Sequence, residues 1–192
     1  SDTQLLLNFY ERNNVMNDNI RVYDNVIPPD FCDNIVNKFE ANSNQWQSES
    51  SSSYDFTQID MGRHRTSWQE ETGELLNLLF TCVSKYKEDI NPMWPNKHGF
   101  ELPRIKRYLP NGTDEFRKHV DVTDYKNAKR FLVFFVYLTD NEAGQTIIND
   151  DFVSPCRKGS VLMFPPLWTH PHAGMQPVNT PKYIVGSYLH YI

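Results

Sequence analysis

His119-Val120-Asp121 is the stretch whose residue types and spacing could do chemistry. An imidazole and a carboxylate two positions apart project from the same edge of an extended segment and can converge on one point, which suits a metal ion. Two ligands do not complete a site. The third is offered downstream, where Pro165-Pro166-Leu167-Trp168-Thr169-His170-Pro171-His172-Ala173-Gly174 places two histidines just past a candidate strand. Either histidine would complete a facial set of two imidazoles and one carboxylate. Such a set leaves about three octahedral positions open and suits Fe(II), although zinc hydrolysis could use the same ligands. A dication bound by a single carboxylate keeps a positive charge that attracts an anionic co-substrate.

Lys182 narrows the choice. It lies ten positions beyond His172 and opens an otherwise apolar and aromatic run, Tyr183-Ile184-Val185-Gly186-Ser187-Tyr188. A lysine turned inward there is costly unless it meets an anion, so a bound carboxylate is its expected partner.

The elements that must position these groups follow from pattern. Leu5 to Asn19 begins apolar and turns Asn-rich. Arg21-Val22-Tyr23 with Val26-Ile27 reads as a strand. A helix follows Pro28-Pro29, with Asp30 at its N-terminus and Cys32, Ile35, Val36 and Phe39 on one buried face. From Asn42 to Asp60 the chain is rich in Ser, Asn and Gln, which predicts a mobile loop and a candidate cover for the site. Ser67 and Glu70 have capping-box spacing ahead of Leu75, Leu79, Cys82 and Tyr86, so a second helix is expected over Ser67 to Asp89. Pro92 and Pro95 stop it. Short extended segments follow at Arg104 to Leu109, Phe116 to Val122, Arg130 to Leu138, Gln145 to Asn149, Ser160 to Phe164 and Lys182 to Tyr191, with turn residues between them. Helices followed by at least six strands predict an α+β, mainly β fold, an antiparallel sandwich or closed jelly-roll with helices on one face.

The whole chain sets the bounds. Its 192 residues, 39% hydrophobic, suffice for one core. The formal net charge of -5 argues against a nucleic-acid partner. Cys32, Cys82 and Cys156 are odd in number and widely spaced, so no disulfide framework is expected. No apolar run approaches membrane-spanning length and no signal peptide is visible, so a reducing, cytoplasmic location and no membrane partner are expected. Oligomeric state is not fixed by sequence.

Taken together, Arg107-Tyr108-Leu109-Pro110-Asn111-Gly112, His119-Val120-Asp121, Val136-Tyr137-Leu138-Thr139-Asp140, Glu142-Ala143-Gly144-Gln145-Thr146, Lys158-Gly159-Ser160-Val161-Leu162-Met163-Phe164 and His172 followed by Pro177 and Lys182 occur in a recognisable order. The chain resembles the prolyl 4-hydroxylase-like branch of the Fe(II)/2-oxoglutarate-dependent dioxygenases, in detail from Tyr108 to Tyr191. The resemblance implies a double-stranded β-helix (jelly-roll) core over about residues 101–192, with a helical part over about 1–100, forming a single domain over 1–192. It implies that His119, Asp121 and His172 bind Fe(II), with His170 left structural, that Lys182 pairs with the distal carboxylate of 2-oxoglutarate, and that Tyr108 hydrogen-bonds the co-substrate. O2 is the further co-substrate, and ascorbate as an auxiliary reductant is left open. The implied reaction is hydroxylation of an unactivated C–H, with a prolyl residue in a peptide or protein as the first expectation and a small molecule as another. The chain departs from the family at Ala143-Gly144, where Gly-Gly is frequent, and at Thr180, where Gly is common. A non-catalytic jelly-roll binding module and a metal-dependent hydrolase or isomerase on the same barrel are the alternatives.

Other polar residues have plainer readings. His64, His98 and His190 read as solvated or hydrogen-bonded histidines. Arg104 and Lys106, alternating with Ile105, read as the solvated face of a strand. Arg130 reads as a strand-end cation facing water, Trp168 and Tyr137 as wall and core.

Overall fold

A computed structural model describes residues 19–192. The segment Leu5 to Asn19 lies, but for Asn19, outside the described residues. In chain order the elements are β1 (Arg21–Tyr23), α1 (Pro29–Ala41), β2 (Gln47–Ser50), β3 (Tyr54–Asp60), α2 (Arg65–Ile90), β4 (His98–Phe100), β5 (Arg104–Tyr108), β6 (Glu115–His119), β7 (Arg130–Tyr137), β8 (Asn141–Ile148), β9 (Phe152–Cys156), β10 (Val161–Phe164), β11 (His172–Gly174) and β12 (Lys182–Tyr191).

All strand pairings are antiparallel, in the order β1-β10-β7-β12-β5-β3-β6-β11-β8-β9, with β2 beside β3 and β4 beside β12. The result is the jelly-roll expected from the strand pattern. β3 is its hinge of pairing: Thr57 to Asp60 bond to β5, whereas Tyr54 and Asp55 bond to β6.

Strand parity divides the interior in two. Leu132, Phe134 and Val136 of β7, Tyr183, Val185 and Leu189 of β12 and Ile105 of β5 face the helices, where they pack against Phe31, Ile35 and Phe39 of α1 and Trp68, Leu75 and Leu79 of α2. Val133, Phe135 and Tyr137 of β7, with Leu162 and Phe164 of β10, Ile184 of β12 and Tyr108 of β5, fill the inside of the roll. Both faces of these strands are buried, which explains why β7 reads as one continuous apolar run. Ile35, Phe39, Trp68, Leu75 and Leu79 are fully buried, each stabilising the fold by about 1.5–3 kcal/mol relative to exposure.

Several expectations are corrected. Asn42 to Asp60 is not a mobile loop: after a 3-10 turn at Ser43–Gln45, β2 and β3 form a hairpin that is part of the sheet. Composition misled because Tyr54 and Phe56 alternate with polar residues and pack on Phe116 and Tyr108, with ring centroids 5.0 to 5.8 Å apart. A hydrogen-bonded strand needs one apolar face, not an apolar composition. Only Ser51-Ser52-Ser53 remains as the hairpin tip. Val26 and Ile27 are not in a strand; their N–H groups both donate to the Gly159 carbonyl at 3.0 Å. Asp30 caps nothing by side chain; Pro29 presets the first turn and Asp30 sits where the helix dipole favours an acid. α2 starts at Arg65, because Ser67 donates its hydroxyl to the His64 carbonyl instead of capping, and it kinks at Trp68, whose indole N–H donates to Gln45.

Candidate active site

β6 ends at His119 and does not continue to Val122. Asp121 therefore reaches the site from the bend after the strand, not from the same strand edge. His172 opens β11 and pairs directly with His119 across the two strands, with a register irregularity before Gly174. The two rings lie 4.3 Å apart, centroid to centroid. His119 Nε2 is 3.3 Å from Asp121 Oδ1, and His172 Nε2 is 3.6 Å from Asp121 Oδ2. The ligand atoms of all three residues lie within 4.8 Å of one another.

Tautomer is set from behind. His119 Nδ1 lies 2.7 Å from the Arg117 carbonyl and His172 Nδ1 lies 3.1 Å from the His170 carbonyl. A carbonyl only accepts, so each Nδ1 carries the proton and each Nε2 lone pair points into the site. Burial pushes His172 down to about 4, against the pull of the Asp121 carboxylate, so the ring is neutral at neutral pH. Burial pushes Asp121 up, yet the carboxyl lies below its usual range, with the Lys106 ammonium among the groups that lower it. Asp121 Oδ2 and His172 Nε2 are buried without a hydrogen-bond partner. Two buried acceptors left bare beside a third are costly unless a cation joins them. The donor set, two imidazoles and a carboxylate, therefore fits Fe(II).

Of the two downstream histidines, His172 and not His170 meets His119 and Asp121. His170 is buried beside Phe164, its Nδ1 against the Thr169 hydroxyl at 2.7 Å. His64, His98 and His190 lie outside the cluster.

The trio lines a cavity shared with Lys182, Tyr108, Lys106, Phe135 and Tyr188. Lys182 is 1% exposed. It donates to the Met175 carbonyl at 2.8 Å and lies over the Tyr108 ring at 4.5 Å. Among the described residues it has no carboxylate within 4.0 Å. Burial lowers it to about 8. Ala143 and Gly144 fall inside β8, not in a turn. A Cβ at Gly144 would lie 2.8 Å from Lys182 Cδ, so the glycine retained at this departure is the one the lysine stem needs. The second departure is absorbed by Asn179, which takes a left-handed conformation (φ 61), and by Asn141, which donates to the Thr180 carbonyl at 2.9 Å.

Three plain readings are corrected. Lys106 is half-buried inside the roll, and its ammonium lies over Phe56 and Phe116. The signal was parity: Ile105 belongs to the helix side, so Lys106 after it is on the face that lines the cavity. Arg130 does not face water; it forks onto both Glu101 carboxylate oxygens at 2.8 Å and covers the Tyr188 ring at 4.0 Å. Tyr188, its phenol raised well above the usual range by burial and the Asp121 carboxylate, was missed as a wall of the site. Trp168 is 80% exposed and is neither wall nor core.

Residues 103–190 match the family model described as the 2OG-Fe(II) oxygenase superfamily. No curated protein matches the chain in sequence. In fold it is similar to the viral collagen prolyl hydroxylase of Paramecium Bursaria Chlorella virus-1 in its 2OG complex, at 19% identity over 91% of this chain and 96% of that one, with a TM-score of 0.67. It is similar to a Trichoplax adhaerens prolyl hydroxylase, solved with a hypoxia inducible factor oxygen degradation domain peptide fragment, at 16% identity over 100% of this chain and 94% of that one, with a TM-score of 0.66. A Pseudomonas putida prolyl-4-hydroxylase gives 13% identity over 91% and 93%, with a TM-score of 0.64. At these identities the likeness is one of fold. With the matched segment, it makes the chain resemble the prolyl 4-hydroxylase-like 2-oxoglutarate oxygenases.

Proposed function

We propose that this prolyl 4-hydroxylase-like chain is an Fe(II)- and 2-oxoglutarate-dependent oxygenase, working as a single catalytic domain, that hydroxylates an unactivated C–H of a prolyl residue in a peptide or protein. One observation carries the reading: His119, Asp121 and His172 meet in a cavity that also holds the buried Lys182, which among the described residues has no carboxylate within 4.0 Å. His119, Asp121 and His172 would hold the iron. With 2-oxoglutarate and O2, the bound metal supplies the oxidising power for hydroxylation, as the co-substrate is decarboxylated to succinate.

The chain's own residues do the rest. The Arg117 and His170 carbonyls fix the two imidazole tautomers, so that no proton has to leave Nε2 before a ligand bond forms. Lys182 would take the distal carboxylate of 2-oxoglutarate. An acid beside its ammonium offsets the burial that now lowers it, so the lysine is charged when the co-substrate is in place. Tyr108 backs that ammonium with its ring and would hydrogen-bond the same acid. Phe116 stacks on His119, and Phe135 and Phe164 pack on His172. These walls keep water from the reacting C–H and hold the rings still. Preference for a prolyl target rests on the prolyl hydroxylases to which the fold is similar.

Anaerobic titration with Fe(II) and 2-oxoglutarate tests the reading: a visible charge-transfer band should appear, and its absence in the wild-type chain would sink the proposal. Turnover on proline-rich peptides, read as a mass shift with succinate release, then separates an oxygenase from a binding module that only retains the site. Adding or omitting ascorbate in that assay decides its role.

A further inference from the structure

Lys106 is the cavity cation that the function proposed above leaves unused. It stands on β5 opposite Ile184 of β12, two residues before Tyr108, which stands opposite Lys182. One pleat repeat, about 7 Å of strand, separates the two lysine-bearing levels of the inner face. The Lys106 ammonium lies 4.6 Å from the Phe56 ring centroid and 5.0 Å from that of Phe116. Among the described residues it makes no ion pair within 4.0 Å. Asp121 and Glu49 attract it from a distance while Arg104 and Arg130 repel it, and burial brings it to about 8. It also borders a neighbouring cleft with Arg104, Gly186 and Tyr188, in which Glu101 is already committed to Arg130. Lys106 is half-buried, whereas Lys182 is fully buried.

The loaded site has a charge to place. A dication bound by Asp121 keeps one positive charge, Lys182 and Lys106 each add one, and the 2-oxoglutarate dianion removes two. One positive charge then remains in a cavity walled by aromatic rings, where an uncompensated charge is costly. Aromatic faces beneath Lys106 stabilise the ammonium but leave its N–H groups without an anionic acceptor.

We propose that Lys106 anchors a carboxylate of the primary substrate, so that this chain acts on acid-bearing substrates. That carboxylate could belong to a chain terminus or free amino acid, or to an Asp or Glu side chain next to the target residue. The inference rests on the Fe(II)/2-oxoglutarate reading of the same cavity.

The test uses the full chain loaded anaerobically with Fe(II) and 2-oxoglutarate. Three probe sets are titrated: prolyl tripeptides with a free C-terminal carboxylate, the same peptides amidated, and amidated peptides with Asp or Asn beside the proline. The readout is the shift of the charge-transfer band as each probe binds. Acid-bearing probes should half-saturate at concentrations about 10- to 100-fold below their neutral partners, the range of a charge-assisted hydrogen bond. The arm that responds identifies the source of the carboxylate. Lys106→Met, which keeps the stem over Phe56 and Phe116, should remove the difference, Lys106→Gln should do the same, and Lys106→Arg should restore part of it; thermal melts report whether each variant folds. Wild-type protein that answers acids and amides alike, or answers none of the probes, overturns the inference, as does an acid preference that survives in folded Lys106→Met or Lys106→Gln. Failure of the band itself in wild type would bring down the iron and 2-oxoglutarate reading, whereas a normal band without acid preference leaves that reading standing and removes only Lys106.

Discussion

His119 and His172 stand directly opposite each other in the pairing of β6 with β11, so the spacing of the two imidazoles is set by the backbone of a sheet. Strands hold ligand geometry more tightly than loops do. Asp121, arriving from a bend, is the member of the trio whose placement depends on its neighbours.

Replacing His119, Asp121 or His172 by Ala should each abolish the Fe(II)/2-oxoglutarate band and lower metal affinity by more than the ~10–100-fold usual for the partners behind a ligand. His170→Ala should keep the band, because that ring packs on Phe164 and meets Thr169. Metal content and the band measured on all four variants check this; iron lost in His170→Ala and kept in His172→Ala would reverse the assignment.

Lys182 should leave a pH signature. Its value falls from 10.5 to about 8 in the folded chain, so between those limits the unfolded chain binds more protons and stability rises with pH from this group. The contribution lost at lower pH is on the order of 3 kcal/mol. Cys32, Cys82 and Cys156, pushed up to about 11, 11 and 12 by burial, act in the opposite sense at alkaline pH. The comparison that isolates the lysine is therefore wild type against Lys182→Met: denaturant melts at pH 7 and pH 10 should show the variant's relative advantage shrinking as pH rises. In assays, Lys182→Ala should raise the KM for 2-oxoglutarate with a smaller effect on metal binding.

Two glycines should fail differently. Gly144→Ala places a methyl 2.8 Å from Lys182 Cδ and 3.3 Å from Asn141 Cβ. The lysine stem must shift, so 2-oxoglutarate affinity should fall while the fold survives. Gly159→Ala puts a methyl 2.6 Å from the Ile27 carbonyl oxygen at a φ of +81°, and should cost about 1–3 kcal/mol of stability. Melting temperature and 2-oxoglutarate KM, measured together, separate the two.

The hairpin of β2 and β3 should resist exchange. Phe56 is 8% exposed, so Phe56→Ala should cost about 3–5 kcal/mol, and amides of Thr57 to Asp60 should exchange slowly. A change below about 0.5 kcal/mol would restore the mobile-loop reading of this stretch.

The strands β7 and β12 were legible in the sequence because each is a long apolar and aromatic run, and the helix-facing residues of α1 and α2 because they recur at helical spacing. Lys182 was legible for a related reason: a cation in an apolar run is conspicuous. β3 was not, because its polar residues outnumber Tyr54 and Phe56 and its backbone partners lie far along the chain. β11, three residues long, exists only through the strands on either side of it. Lys106 was misread because cations alternating with a single Ile105 look alike whether the opposite face meets water or a cavity. Only the position of α1 and α2 decides which face is inside. The bend after His119 was invisible for the same reason, since His-x-Asp spacing fits both an extended strand and a turn.

The parity of β5 and β12 has a further consequence for how such a chain can change over time. Odd positions, Ile105, Tyr183, Val185 and Leu189, lie in the helix-backed core, while Lys106, Tyr108, Lys182, Ile184 and Tyr188 line the cavity. One ribbon of backbone thus carries two independent texts, and the cavity text can be rewritten for a new substrate while the fold's own text is left untouched.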